Sequence, residues 1–188
     1  TATCLPAGGG ICPTFSATGG PDGSGDYVYS GLDSNVYLTA GTGNDFETLC
    51  VNGCTFSAWA NSAVDGNAYI VGRWDNSLTG GNANEFFYLN INLQRDTVFF
   101  FDNDGNTTNS CSITYTAGDI NLNQWYNYVG VWNPSTSQIL LYRDGQLLSS
   151  ASCLFSSITT GVGGWGDSES TFIGTVDDGN IRNEFNGA

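Results

Sequence analysis

Between Asn123 and Leu148 the order of residues dictates three successive strands. In Trp125-Tyr126-Asn127-Tyr128-Val129-Gly130-Val131-Trp132, large apolar side chains fall on both faces, the pattern of a strand covered on two sides. Asn133-Pro134-Ser135 cannot prolong a ladder, because Pro134 has no N–H to donate, so the chain must turn. Ile139, Leu141 and Arg143 then alternate with Leu140, Tyr142 and Asp144. The dipeptide Asp144-Gly145 suits the positive φ values of a two-residue hairpin turn. Such a unit commits its part of the chain to antiparallel sheet.

The same punctuation continues elsewhere. Further strands are expected at 27–30, 36–39, 55–60, 69–74, 85–92, 97–102, 112–116 and 171–176, beside those at 125–132, 139–143 and 147–150. Asp65-Gly66, Gly80-Gly81, Asp104-Gly105 and Asp178-Gly179 supply turns between them. No amphipathic helix and no internal repeat is visible. At 188 residues, with 40% hydrophobic and 13% aromatic side chains, the chain can fill one sizeable core. The expected fold is all-β, a sandwich of two antiparallel sheets. Residues 1–25 form a Gly-, Thr- and Ala-rich segment holding Cys4, Cys12 and one candidate strand at Ile11–Ala17; the regular pattern occupies 26–188.

Charge and missing residue types narrow the function. Four Arg and no Lys stand against 18 acids, a net charge of −14, which repels a phosphate backbone and removes nucleic acid as a partner. With no His, the commonest general base, the Ser–His and Cys–His nucleophile systems and the usual zinc ligand are all absent. No apolar run approaches the roughly 20 residues of a membrane span. There is no Met and no signal peptide, so the sequence reads as a mature or excised piece whose export signal lies outside it.

Cys4, Cys12, Cys50, Cys54, Cys111 and Cys153 make an even set with no paired C-x-x-C, which favours three disulfides in an oxidising, extracellular setting over zinc. Of the 15 possible connectivities, the expected one has Cys4–Cys12 and Cys50–Cys54 as local loops and Cys111–Cys153 joining two strands.

Several segments together resemble the laminin-G-like domains of the concanavalin A-like jellyroll superfamily. They are the hairpin unit above, Phe56-Ser57-Ala58-Trp59, Tyr69–Asp75, Phe87–Ile91, Phe172-Ile173-Gly174 and Phe185-Asn186-Gly187-Ala188. The resemblance runs from about residue 26 to the end and implies a jellyroll. It also implies one more inner strand after Phe185-Asn186-Gly187-Ala188, which this sequence does not contain. The expectation drawn from this is strand complementation, by Ile11–Ala17 of the same or a neighbouring subunit, which between subunits would build an open fibre of identical copies.

Glucanases related to this family carry three acids on one strand. Here there are only four Glu (Glu47, Glu85, Glu169 and Glu184), and none starts such a cluster; Asp167 and Glu169 follow a glycine-rich loop pattern, so a glycoside hydrolase is the least favoured reading. Calcium has a better candidate: Asp102, Asp104 and Asn106 place three oxygen-bearing side chains at alternate positions around Gly105, although acidic turns of this kind also cap hairpins without a metal. Asp177-Asp178-Gly179-Asn180 is a weaker one. Asn106-Thr107-Thr108 is a glycosylation sequon. Trp74 and Trp165 are the candidates for stacking on sugars, with the Phe86–Tyr88 region, whereas Trp59, Trp125 and Trp132 are expected in the core. The reading that results is a non-catalytic extracellular structural or adhesive module, a filament subunit in its sharpest form. The alternative is a calcium-assisted module binding extracellular glycans.

Overall fold

The computed structural model describes residues 3–4, 14–16, 20–22, 27–29, 38–42, 48–64, 66–75, 84–92, 97–103, 109–116, 120–160, 170–174, 185 and 187. In chain order their strands are β1 (Thr3–Cys4), β2 (Thr14–Ser16), β3 (Tyr27–Tyr29), β4 (Leu38–Thr42), β5 (Cys54–Asn61), β6 (Ala68–Asp75) and β7 (Asn84–Ile91). Then come β8 (Thr97–Asp102), β9 (Ser110–Tyr115), β10 (Trp125–Asn133), β11 (Gln138–Arg143), β12 (Gln146–Ser152) and β13 (Ser170–Ile173). One sheet has seven strands in the order β1-β4-β13-β6-β7-β8-β9, and the other has four in the order β12-β11-β10-β5. Among the described residues the strand pairings are antiparallel throughout, as a jellyroll sandwich requires.

The β10–β11–β12 unit follows its residues closely. Inward Tyr126, Tyr128, Gly130 and Trp132 are buried while their neighbours in β10 are half-exposed. Beyond β10, the Asn133 side-chain oxygen accepts from the Ser135 N–H at 3.1 Å and the Ser135 hydroxyl at 2.7 Å, an Asx turn around Pro134. Asp144 and Gly145 hold φ of 51° and 77°, the two left-handed positions of a type I′ hairpin. The Asp144 carboxylate then accepts from the Asn127 N–H at 2.8 Å, and Asp144 donates back to the Asn127 carbonyl at 2.9 Å, so the turn is tied to the neighbouring strand.

The two sheets meet through aromatic rings. Phe56 of β5 stacks on Phe87 of β7 with centroids 4.0 Å apart, and Trp132 of β10 stacks on Phe101 of β8 at 5.1 Å. Phe155 closes this group at 5.0 Å from Trp132. Gly130 leaves room for Phe99: a Cβ at Gly130 would lie 2.6 Å from the Phe99 ring. Arg73 is fully buried with its guanidinium 3.9 Å over the Phe86 ring, and Arg143 lies 5.2 Å over Tyr126.

Cys111 of β9 is bonded to Cys153, just after β12, fastening the edge of one sheet to the edge of the other. Cys50 is bonded to Cys54 across a short loop. Gly53 in that loop has φ of 101° and meets Trp132 and Pro134 too closely for a side chain. The Cys4–Cys12 pairing lies outside the described residues.

The structure departs from the sequence expectations in several places. β4 runs Leu38–Thr42 instead of 36–39, and residues 48–50, with no helix expected, make a helical turn leading into the Cys50–Cys54 loop. β1 was not anticipated; two residues are too short for any periodicity to register. The Ile11–Ala17 candidate survives as β2, which pairs with β3 in a separate two-stranded ribbon. Trp59, expected in the core, is 53% exposed, and Trp125 is half-buried. The reason is register: Phe56 and Ala60 take the inward positions of β5, which leaves Trp59 outward. Trp132 is buried.

Candidate functional site

The face of the seven-stranded sheet turned away from the core carries an aromatic row. Strict alternation along Ala68–Asp75 would set Tyr69 and Trp74 on opposite faces. The β6–β7 register has two irregularities: the one at Tyr69/Val71 adds a residue on β6 and cancels that parity, and the one at Arg73/Trp74 adds a residue on β7. Each lets two consecutive residues, Ile70–Val71 on β6 and Phe86–Phe87 on β7, pack toward the core. Tyr69 and Trp74 then share the outer face with Tyr88 of β7 and Phe100 of β8.

Trp74 stacks on Tyr88 with centroids 5.9 Å apart and planes 20° apart, and Tyr88 stacks on Phe100 at 4.9 Å and 5°. Tyr69 meets Trp74 and Tyr88 edge-on, at 6.2 and 5.3 Å. Tyr69 and Phe100 are buried, while Trp74 and Tyr88 keep part of their surface open. Asn90 lies on the same face, opposite Tyr69 and Val98. Its amide donates to the Asn67 side-chain oxygen at 3.0 Å. The Asn90 Oδ1 and the Trp74 indole N–H are both buried with no hydrogen-bond partner. An unmet polar atom of this kind costs about 1–3 kcal/mol, so an acceptor at the indole and a donor at the amide are both favoured by the site.

Asp102 ends β8, fully buried and in register with Ser110. The next residue, Asn103, has a buried side-chain oxygen with no partner, while its N–H donates to the Asn109 carbonyl at 3.3 Å. A buried carboxylate and a buried amide oxygen thus stand at the neck of the loop for which the sequence suggests calcium. Asp104 and Asn106, including the glycosylation sequon, lie outside the described residues, as do Trp165 and the Asp177–Asn180 candidate. Among the described residues, no three His, Cys, Asp or Glu side chains cluster as a metal site, and no helix is long and apolar enough to cross a membrane. Of the sequence-expected ligand-binding residues, the structure describes Trp74 and the Phe86–Tyr88 region, of which Tyr88 lies on this face while Phe86 and Phe87 pack in the core, and it adds Tyr69, Phe100 and Asn90.

A two-sheet antiparallel jellyroll with an aromatic outer face defines the class. The chain belongs to the concanavalin A-like lectin/glucanases superfamily, whose Laminin_G_3 family model matches residues 23–187. Among solved structures it is similar to the carbohydrate-binding module (CBM40) of the Ruminococcus gnavus IT-sialidase bound to α2,3-sialyllactose, at 11% identity and a TM-score of 0.59, covering 79% of this chain and 80% of that one. It is similar to NanB sialidase from Streptococcus pneumoniae, at 14% identity and a TM-score of 0.58, covering 84% of this chain and 24% of that one. The LG4-5 domains of the mouse laminin α1 chain match at 14% identity and a TM-score of 0.51, covering 72% of this chain and 32% of that one. No curated protein matches the chain. At these identities the solved structures speak for the fold.

Proposed function

We propose that this chain is a non-catalytic, extracellular adhesive module that holds glycan against the outer face of its seven-stranded sheet. The observation that carries the reading is the Trp74–Tyr88–Phe100 row with the unpartnered Asn90 oxygen and Trp74 N–H beside it. Flat rings take the apolar faces of sugars, and the amide and indole take their hydroxyls. The CBM40 neighbour is bound to an acidic sugar. This chain carries −14 and only four Arg, of which Arg73 is buried over Phe86 and Arg143 sits over Tyr126, so neutral glycans are the better match. The two disulfides among the described residues support an oxidising location.

A glycan array tests the reading. The natural chain should retain neutral glycans, and some of these should be lost by Trp74→Ala; an array with no binders, or one on which no glycan depends on Trp74, overturns it. Calcium at the loop after β8, held by Asp102 with Asp104 and Asn106, belongs to this proposal, and chelator should then lower the melting temperature. An unchanged midpoint removes the ion.

A second reading, a filament built by strand addition, is favoured by β5. It pairs with β10 on one side and, among the described residues, meets only the antiparallel Ser62–Gly187 bridge on the other. Micrographs showing fibres whose subunits exchange a strand at β5 would support it; monomers at high concentration would remove it.

A further inference from the structure

The four strands of the smaller sheet, β5, β10, β11 and β12, contain no Asp or Glu, whereas the central strands β6, β7 and β8 of the larger sheet each carry one. Their one cation, Arg143, is engaged with the Tyr126 ring. In a chain of net charge −14 this is an uncharged surface, and Trp59 stands on it 53% exposed. The register surrounds the indole with short polar groups. Asn127 lies directly opposite Trp59, Asn61 and Ser57 flank it along β5, and Trp125 and Val129 are its diagonal neighbours on β10.

Asn127 is held in place. Its backbone is tied to the Asp144 turn by the paired hydrogen bonds at 2.8 and 2.9 Å, and its side-chain amide reaches the Ser57 hydroxyl and the Ala58 carbonyl, each at 3.4 Å. Among the described residues, Trp59 takes part in no ring stack. A large indole kept half in water, beside a fixed amide and a hydroxyl, on strands with no acid of their own and with the Asp144 carboxylate behind Asn127, is suited to one kind of ligand. We propose that the β5–β10 half of this face is a second sugar platform, separate from the Trp74 row, that takes a neutral pyranose on the Trp59 ring with Asn127, Asn61 and Ser57 meeting its hydroxyls. Acidic sugars are disfavoured because the face offers no cation.

The test uses the natural chain, Trp59→Ala, Trp59→Phe and Trp74→Ala, each titrated with cellotetraose, chitotetraose, mannotetraose and 3′-sialyllactose. Indole N–H resonances of the five tryptophans are followed by NMR. At least one neutral probe should shift the Trp59 resonance. Trp59→Ala should weaken that binding by about tenfold or more, Trp59→Phe should retain part of it, and Trp74→Ala should leave it intact. 3′-Sialyllactose should leave the Trp59 resonance unmoved. The proposal is overturned if no neutral probe moves that resonance, if sialyllactose alone does, or if the resonance shifts only with protein concentration, which would mark the face as a contact between copies. Failure of the Trp74 site would appear on a different resonance, so the two outcomes are separable.

Discussion

Gly130 shows how single atoms set the spacing of the sandwich. It is an inward position of a central strand, where β-branched or aromatic residues would normally add packing. Any Cβ there would stand 2.6 Å from Phe99 Cδ2 and Cε2. Phe99 is itself fully buried and cannot swing into solvent. Gly130→Ala is therefore expected to destabilise by overpacking, by about 1–3 kcal/mol, seen as a lower denaturant midpoint with an unchanged slope. A neutral Gly130→Ala would mean that the two sheets can separate more easily than this packing implies. Trp74 behaves differently at the same scale. Its ring is half-open at the outer face, so Trp74→Ala should cost glycan retention while leaving the fold intact by circular dichroism.

Elements differ in how plainly residues announce them. The β11–β12 hairpin was legible because Asp144-Gly145 can hold two positive φ values and alternation resumes on either side. Asp144 also accepts the Asn127 N–H, so Asp144→Ala should lose about 0.5–1.5 kcal/mol, whereas Asp144→Asn, which keeps an oxygen and tolerates the left-handed region, should lose less. Equal losses from the two substitutions would argue against the side-chain bond. The β6–β7 pair was legible as strands but not as a site. Nothing local in Ala68–Asp75 marks where an extra residue enters the register, because that depends on which partner positions Phe86, Phe87 and Leu89 claim in the core. Trp74 and the Phe86–Tyr88 region could be singled out as candidates, yet neither the core positions of Phe86 and Phe87 nor the part played by Phe100 could. Trp59 was misplaced for a related reason: Phe56-Ser57-Ala58-Trp59 holds large residues of both parities, and only packing against Phe87 decided which one faces inward.

Across the whole molecule, the sheets are coupled by the ring stacks in the middle and by Cys111–Cys153 at the β9–β12 margin. The two described disulfides close loops of very different length, with sequence separations of 42 and 4. In the chain-entropy account, a bridge stabilises by restricting the unfolded chain, and its effect grows with the logarithm of the loop it closes. That predicts a contribution of about 4 kcal/mol for Cys111–Cys153 against about 2 kcal/mol for Cys50–Cys54. Replacing both cysteines of each pair by Ser or Ala, in separate variants, and comparing denaturant midpoints measures the order directly. The longer loop should dominate, because it also ties the edges of two different sheets and its loss frees the whole β9–β12 margin. The reverse order would mean that the Cys50–Cys54 loop acts in the folded state: it holds Gly53 against Pro134 and Trp132, and with them the entry to β5 beside β10. The glycan surface proposed on β5 would then depend on that small loop, and the Cys50/Cys54 variant should lose Trp59 binding along with stability.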